Sequence, residues 1–197
     1  MTTKPTTTGE SVTPAHRVSS PPSRFVVAVG LVVALWCAGF AAISVWFELT
    51  DRFATGEYAE EADALSVMNW LVVVLKVLGV VVALLAIRPR PVAPRTTGLV
   101  LWGAFATVTV YVLGSIGQAV VILAGIAGDA DDLDARSLAY VVGFLVAAIG
   151  FGILAISYAR RVGLSVWVVI LGVLGAPVVL GGVLVIAPVL LKAAGLL

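Results

Sequence analysis

The stretch Val67–Ile87, VMNWLVVVLKVLGVVVALLAI, decides the fold: it runs 21 residues with a single charge, Lys76. As an α-helix it would rise about 32 Å, which matches a bilayer hydrocarbon core of about 30 Å. Its apolar residues are continuous rather than alternating, so it does not read as a strand of a transmembrane barrel. Working outward, uncharged runs of the same kind lie at 25–47, 98–126, 137–159 and 163–190. The first is too long and too far from the terminus for a cleavable signal. The sequence therefore predicts an all-α, polytopic transmembrane helix bundle of about five spanning helices, formed by residues 25–197. Residues 1–24, rich in Thr, Ser and Pro, are expected to be a disordered cytoplasmic tail.

Composition points the same way. The 197 residues are 61% hydrophobic and 12% charged, with a mean hydropathy of +1.14. Soluble domains carry about 25% charged residues. A water-soluble globule of this length has too little interior to hide so much apolar surface.

The placement of charge predicts orientation. Lys4, Arg17, Arg24, Arg88, Arg90, Arg95, Arg160 and Arg161 fall on one side of the five spans, with the single acid Glu10. The other side has Arg52, Arg136 and Lys192 against ten acids, from Glu48 and Asp51 to Asp132 and Asp134. Eight basic residues against three put the N-terminus in the cytoplasm and, with five spans, the C-terminus outside. Trp46, Phe47, Phe53, Tyr58 and Trp70 cluster near the outer boundary, as an aromatic belt would, and Glu57–Leu65 reads as an interfacial helix.

Several function classes drop out. A net charge of +1 without a basic, aromatic-rich patch gives no support for nucleic-acid binding. One cysteine, Cys37, and one histidine, His16, allow no intrachain disulfide, no cysteine-based metal site and no histidine cluster. No CxxC, Walker, HExxH or GxSxG pattern is present, so neither an enzyme nor a cofactor is expected. The acidic loop from Asp129 fails the EF-hand pattern, with Asp134 where glycine is needed and Tyr140 where glutamate is needed. It reads as a solvated loop that caps the fourth helix.

Lys76 is the one charge inside a span. It lies about 14 Å from the outer start of its run and about 18 Å from Arg88, close to the midplane. Its stem is too short to reach water, so it should face protein or a water-filled space. Asn69, Lys76 and Ala83 recur every seven residues with Gly79 beside them, giving one polar, small-residue stripe. The third span offers Thr107, Tyr111, Gly114, Ser115 and Gln118 at helical spacing, and Gln118 lies at a similar depth. The expected site is therefore Lys76 and Asn69 facing Gln118, Ser115 and Tyr111, with a Lys76–Gln118 or Lys76–Ser115 hydrogen bond. Glu48 would serve as counter-ion only if the first helix sat deeper than its hydropathy suggests. The blander account of Lys76 is a lysine hydrogen-bonded inside the bundle.

Two further features concern packing. The uncharged run Val162–Leu191 would make a helix of about 45 Å, longer than the bilayer core, with Pro177, Gly181, Gly182 and Pro188 along it. A tilted, kinked helix is expected, and a hairpin breaking between Ala176 and Gly182 is the alternative. Gly143, Ala147 and Gly150, and separately Gly172 and Ala176, mark faces for close helix approach inside the bundle rather than a dimer seam.

The segment from Asn69 through Lys76 to Gly79, followed by the Arg88-Pro-Arg-Pro91 turn, resembles uncharacterised small polytopic membrane proteins of high-GC Gram-positive bacteria. That resemblance implies a multi-pass bacterial plasma-membrane protein and no particular activity. Two roles remain open. One is a non-enzymatic accessory or scaffold component, in contact with the lipid bilayer and with a membrane-protein partner or a second copy. The other is a small-solute or ion permeation protein lined by the polar face around Lys76.

Overall fold

The computed structural model describes residues 21–52, 54, 62–126 and 135–193, with side chains up to residue 182 apart from 136 and 179. The expected tail over 1–20, residues 57–61 of the expected interfacial helix, and the acidic loop at 129–134 lie outside the described residues. Within them, regular structure is entirely helical: α1 (Arg24–Leu49), α2 (Ala62–Ala86), α3 (Pro94–Leu123), α4 (Ala135–Val162) and α5 (Val166–Ala193). Four of these, α1 to α4, are long and apolar enough to cross a membrane. The described apolar part of α5 runs from Val166 to Gly182. Its backbone continues through Pro177 as one helix, so the alternative hairpin near Ala176–Gly182 does not form.

The helix ends follow local chemistry rather than hydropathy. Ser23 caps α1 by accepting a hydrogen bond from the Val26 amide at 3.3 Å. At its other end α1 runs to Leu49, two residues past the expected limit, which brings Glu48 into the helix. The second helix starts at Ala62 rather than Val67, with Asp63 in its first turn where the helix dipole favours an acid. Pro94 opens α3, a position where the missing amide hydrogen costs nothing. Two glycines close helices in the left-handed conformation. Gly125 has φ +67° and Gly163 φ +63°. In each case the next amide reaches back five residues, Ile126 to the Val121 carbonyl at 3.1 Å and Leu164 to the Ala159 carbonyl at 3.0 Å. That six-to-one bond closes a Schellman end, which a side chain at the glycine would strain.

The helices associate as α1 with α2 and α3 with α5, while α4 packs against both α1 and α3. The best-buried side chains are Tyr158, Phe151 and Leu154 of α4 and Leu101 of α3, joined by Val33, Cys37, Val82 and Ala83. This core occupies the half of the bundle nearer the basic helix ends. At one corner of it, the Arg161 guanidinium stacks over the Tyr158 ring at 5.4 Å and donates through Nη2 to the Ala86 carbonyl at 2.7 Å, capping α2. The small-residue faces are interior, as expected. Val33 of α1 fills the space beside Gly150, Trp36 lies beside Gly143, and Gly172 sits against Trp102 and the Leu99 carbonyl of α3. The outer surface is largely leucine, valine and isoleucine, the surface a lipid environment favours.

Candidate functional site

The polar stripe of α2 turns toward α1, and that fixes the site. Ser44 and Glu48 are one turn apart near the end of α1, and Phe40 lies one turn below Ser44. Ser66, Asn69, Val73 and Lys76 occupy the facing side of α2 at helical spacing. The two sets interlock. Lys76 Nζ donates to Ser44 Oγ at 2.8 Å and to the Phe40 carbonyl at 3.1 Å. Its ammonium also lies 5.4 Å from the centroid of the Phe40 ring, within cation–π range. Asn69 Nδ2 donates to the Ser44 carbonyl at 2.8 Å and to Glu48 Oε1 at 2.6 Å. The Ser66 hydroxyl donates to the other carboxylate oxygen, Glu48 Oε2, at 2.6 Å.

Ser44 is the hinge of this arrangement. Its carbonyl takes Asn69, its hydroxyl takes Lys76, and the residue is buried at 6% exposure. Glu48 is thereby linked to Lys76 through Asn69 and Ser44, with the acid one turn nearer the end of α1. In a medium of low dielectric, each charge gains from the other and from the hydrogen bonds between them.

The expected partners on α3 are not the partners of Lys76. Gln118 is exposed on the outside of the bundle. The Ser115 hydroxyl turns back on its own helix and donates to the Tyr111 carbonyl at 3.0 Å. The Lys76–Gln118 and Lys76–Ser115 bonds are therefore replaced by bonds to α1. The reason is topological: α2 packs far more closely on α1 than on α3. Matching depth alone did not decide which neighbour the stripe faced. Of the five expected site residues, Lys76 and Asn69 come together on one seam, Lys76 and Tyr111 line a common crevice, and Ser115 and Gln118 do not join them. The residues missed were Phe40, Ser44 and Ser66. The spacing of Phe40, Ser44 and Glu48 by four was the readable signal, since it places a carbonyl, a hydroxyl and a carboxylate on one stripe.

Beside the seam lies a crevice of about 800 Å³. Its walls are α2 on one side and α3 with α5 on the other, and its floor comes from Trp36 and Cys37 of α1 and Phe144 and Phe151 of α4. Lys76 is the one charged residue in this lining; Thr107 and Tyr111 add hydroxyls, and the rest is nearly all apolar. Leu78 and Leu171, 49% and 62% exposed, stand at its rim. Tyr111 packs on Phe144 with ring centroids 4.4 Å apart, and Phe144 meets Trp36 edge-on at 4.9 Å, so one end of the crevice is aromatic.

Among the described residues no group of acids, histidines or cysteines is arranged to hold a metal ion. Cys37 is a buried free thiol with no histidine or carboxylate described beside it. The chemistry on offer is hydrogen bonding and packing. No family model matches this chain, and neither a curated protein nor a solved structure does.

Proposed function

We propose that this chain is a five-span plasma-membrane protein of bacterial type that works as a non-enzymatic accessory or scaffold component. In this reading the N-terminus is cytoplasmic and the C-terminus lies outside, following the eight-to-three split of basic residues. The observation that carries the role is the closure of the polar seam. Lys76, Asn69, Ser66 and Glu48 bond across α1 and α2 to hold the helices together. A permeation path would need those groups to line water with Gln118 and Ser115. The crevice beside the seam is apolar instead, which favours a protein that binds within the plane of the membrane.

Two measurements test this. Purification of the full chain from its own membranes in mild detergent should bring down a stoichiometric membrane partner or a defined oligomer. Reconstituted into liposomes, the protein should give no solute or ion flux above protein-free vesicles. Flux that disappears in Lys76→Ala, from a chain purified alone and monomeric, would overturn the accessory reading in favour of permeation.

A further inference from the structure

We infer that the crevice between α2 and the α3–α5 pair is a binding site for a single-chain lipid with a carboxylate head, a long-chain fatty acid, whose head is held by Lys76. This goes beyond the accessory role and does not depend on it. Three observations converge.

The first is shape. Val72 to Val82 on α2 spans about 15 Å, and Leu99 to Tyr111 on α3 about 18 Å. The space is elongated, and its volume of about 800 Å³ falls in the range of about 300–1,000 Å³ typical of small-ligand sites.

The second is charge. An ammonium carries three N–H donors and no acceptor, so whatever meets it must accept. Two donors go to Ser44 and Phe40, and the third has no partner among the described residues. Glu48 supplies counter-charge only through Asn69 and Ser44, with its oxygens bonded to Ser66 and Asn69 rather than to Nζ. An anionic head accepting from the third N–H would add a direct charged hydrogen bond, and a neutral head would not.

The third is depth. Lys76 sits fourteen residues into α2 from Ala62 and ten from Ala86, about 21 Å and 15 Å from its ends. A two-chain phospholipid keeps its phosphate at the interface, well short of that position. A small carboxylate on a single chain reaches Lys76 from the exposed side of the crevice, entering past Leu78 and Leu171 with its chain along Gly79 and Gly175.

The test uses purified full-length protein in detergent with radiolabelled palmitic acid as ligand and hexadecanol as competitor. We expect saturable binding of about one palmitate per chain, with hexadecanol competing at least tenfold more weakly. Lys76→Met, which keeps the stem and removes the charge, should weaken palmitate binding about tenfold or more, the scale of a charged hydrogen bond. Because Lys76 also ties α2 to α1, a second variant leaves that tie alone. Gly175 lines the crevice and has nothing within 4 Å of where a Cβ would stand, so Gly175→Phe should fill the space and abolish binding. A helical circular-dichroism spectrum and a monodisperse elution profile certify the fold of each variant. Equal binding by folded Lys76→Met, equal competition by hexadecanol, or no saturable binding overturns the proposal. So does a photo-crosslinker at Leu78 that captures a protein chain rather than lipid.

Discussion

Gly172 and Gly175 stand three residues apart on α5, yet substitution by alanine should move stability in opposite directions. A Cβ at Gly172 would come within 2.8 Å of the Leu99 carbonyl oxygen and 2.7 Å of Trp102 Cβ, both fixed parts of α3. Neither is the far end of a flexible side chain, so the helices themselves must separate by several tenths of an ångström. Overpacking of that kind costs about 1–3 kcal/mol. The better helix propensity of alanine returns about 0.8–1 kcal/mol, leaving Gly172→Ala less stable by about 1 kcal/mol. At Gly175 the added methyl meets nothing, and the propensity gain stands alone at up to about 1 kcal/mol. The two variants should differ by about 2 kcal/mol, or about 30-fold in the unfolding equilibrium. Tryptophan fluorescence suits the assay, since Trp102 lies at the α3–α5 contact, and titration from mild detergent into SDS would report its release. Equal stability of the two variants, or a Gly172→Ala protein more stable than wild type, would refute the close α3–α5 approach.

The seam between α1 and α2 predicts energetic coupling. A double-mutant cycle of Glu48→Gln and Asn69→Leu in the same titration should give a coupling of about 0.5–1.7 kcal/mol, the range of interhelical polar contacts in membrane proteins. A value indistinguishable from zero would mean that the bond at 2.6 Å carries no stability. Gln118→Leu should change stability by less than about 0.5 kcal/mol and leave ligand binding intact, because its side chain is exposed and forms no part of the crevice lining. A larger loss would reinstate the α3 pairing.

The reach of the sequence was uneven for physical reasons. Continuous apolar runs made the helices plain, because a bilayer demands length and hydrophobicity of every spanning segment, and both are written locally. The helix ends were less plain. Ala62 and Glu48 extend α2 and α1 past the apolar runs, where the Asp63 charge at the start of α2 and the Thr50 cap of α1 act instead of hydropathy. The depth of Lys76 was readable from the rise per residue, but its partner was not. Depth is a one-dimensional coordinate, and several helices offer polar groups at the same level. Choosing among them needs the rotation of α2 about its axis. That rotation is marked by Gly79 and Ala83, both buried on the same stripe as Asn69 and Lys76, with Gly79 against Cys37 of α1. Small residues on the same stripe as a polar residue show which way it turns.

The crevice itself follows from where close packing is concentrated. Glycines at 103 and 172 draw α3 and α5 together, and the hydrogen bonds of Asn69 and Lys76 draw α2 onto α1. Each device works on one pair. Neither joins α2 to α5, whose facing side chains, Leu78 and Leu171, remain exposed. A sequence built only for a tight bundle would place small residues or a hydrogen bond across that gap as well. Here the gap has Gly175 with open space at its Cβ, and Lys76, the one charged residue of the described lining, borders it. Placing a costly charge beside an open apolar slot lowers stability unless something occupies the slot. Stability of the purified protein should therefore rise when the slot is filled. Ligand that binds only the folded state stabilises by RT ln(1 + [L]/Kd), about 2.7 kcal/mol at a hundredfold excess over Kd. A palmitate-dependent rise in the SDS midpoint that vanishes in Gly175→Phe would tie the architecture of the two helix pairs to occupancy of the space between them. A rise of equal size in Gly175→Phe would assign the effect to detergent-like action on the outer surface.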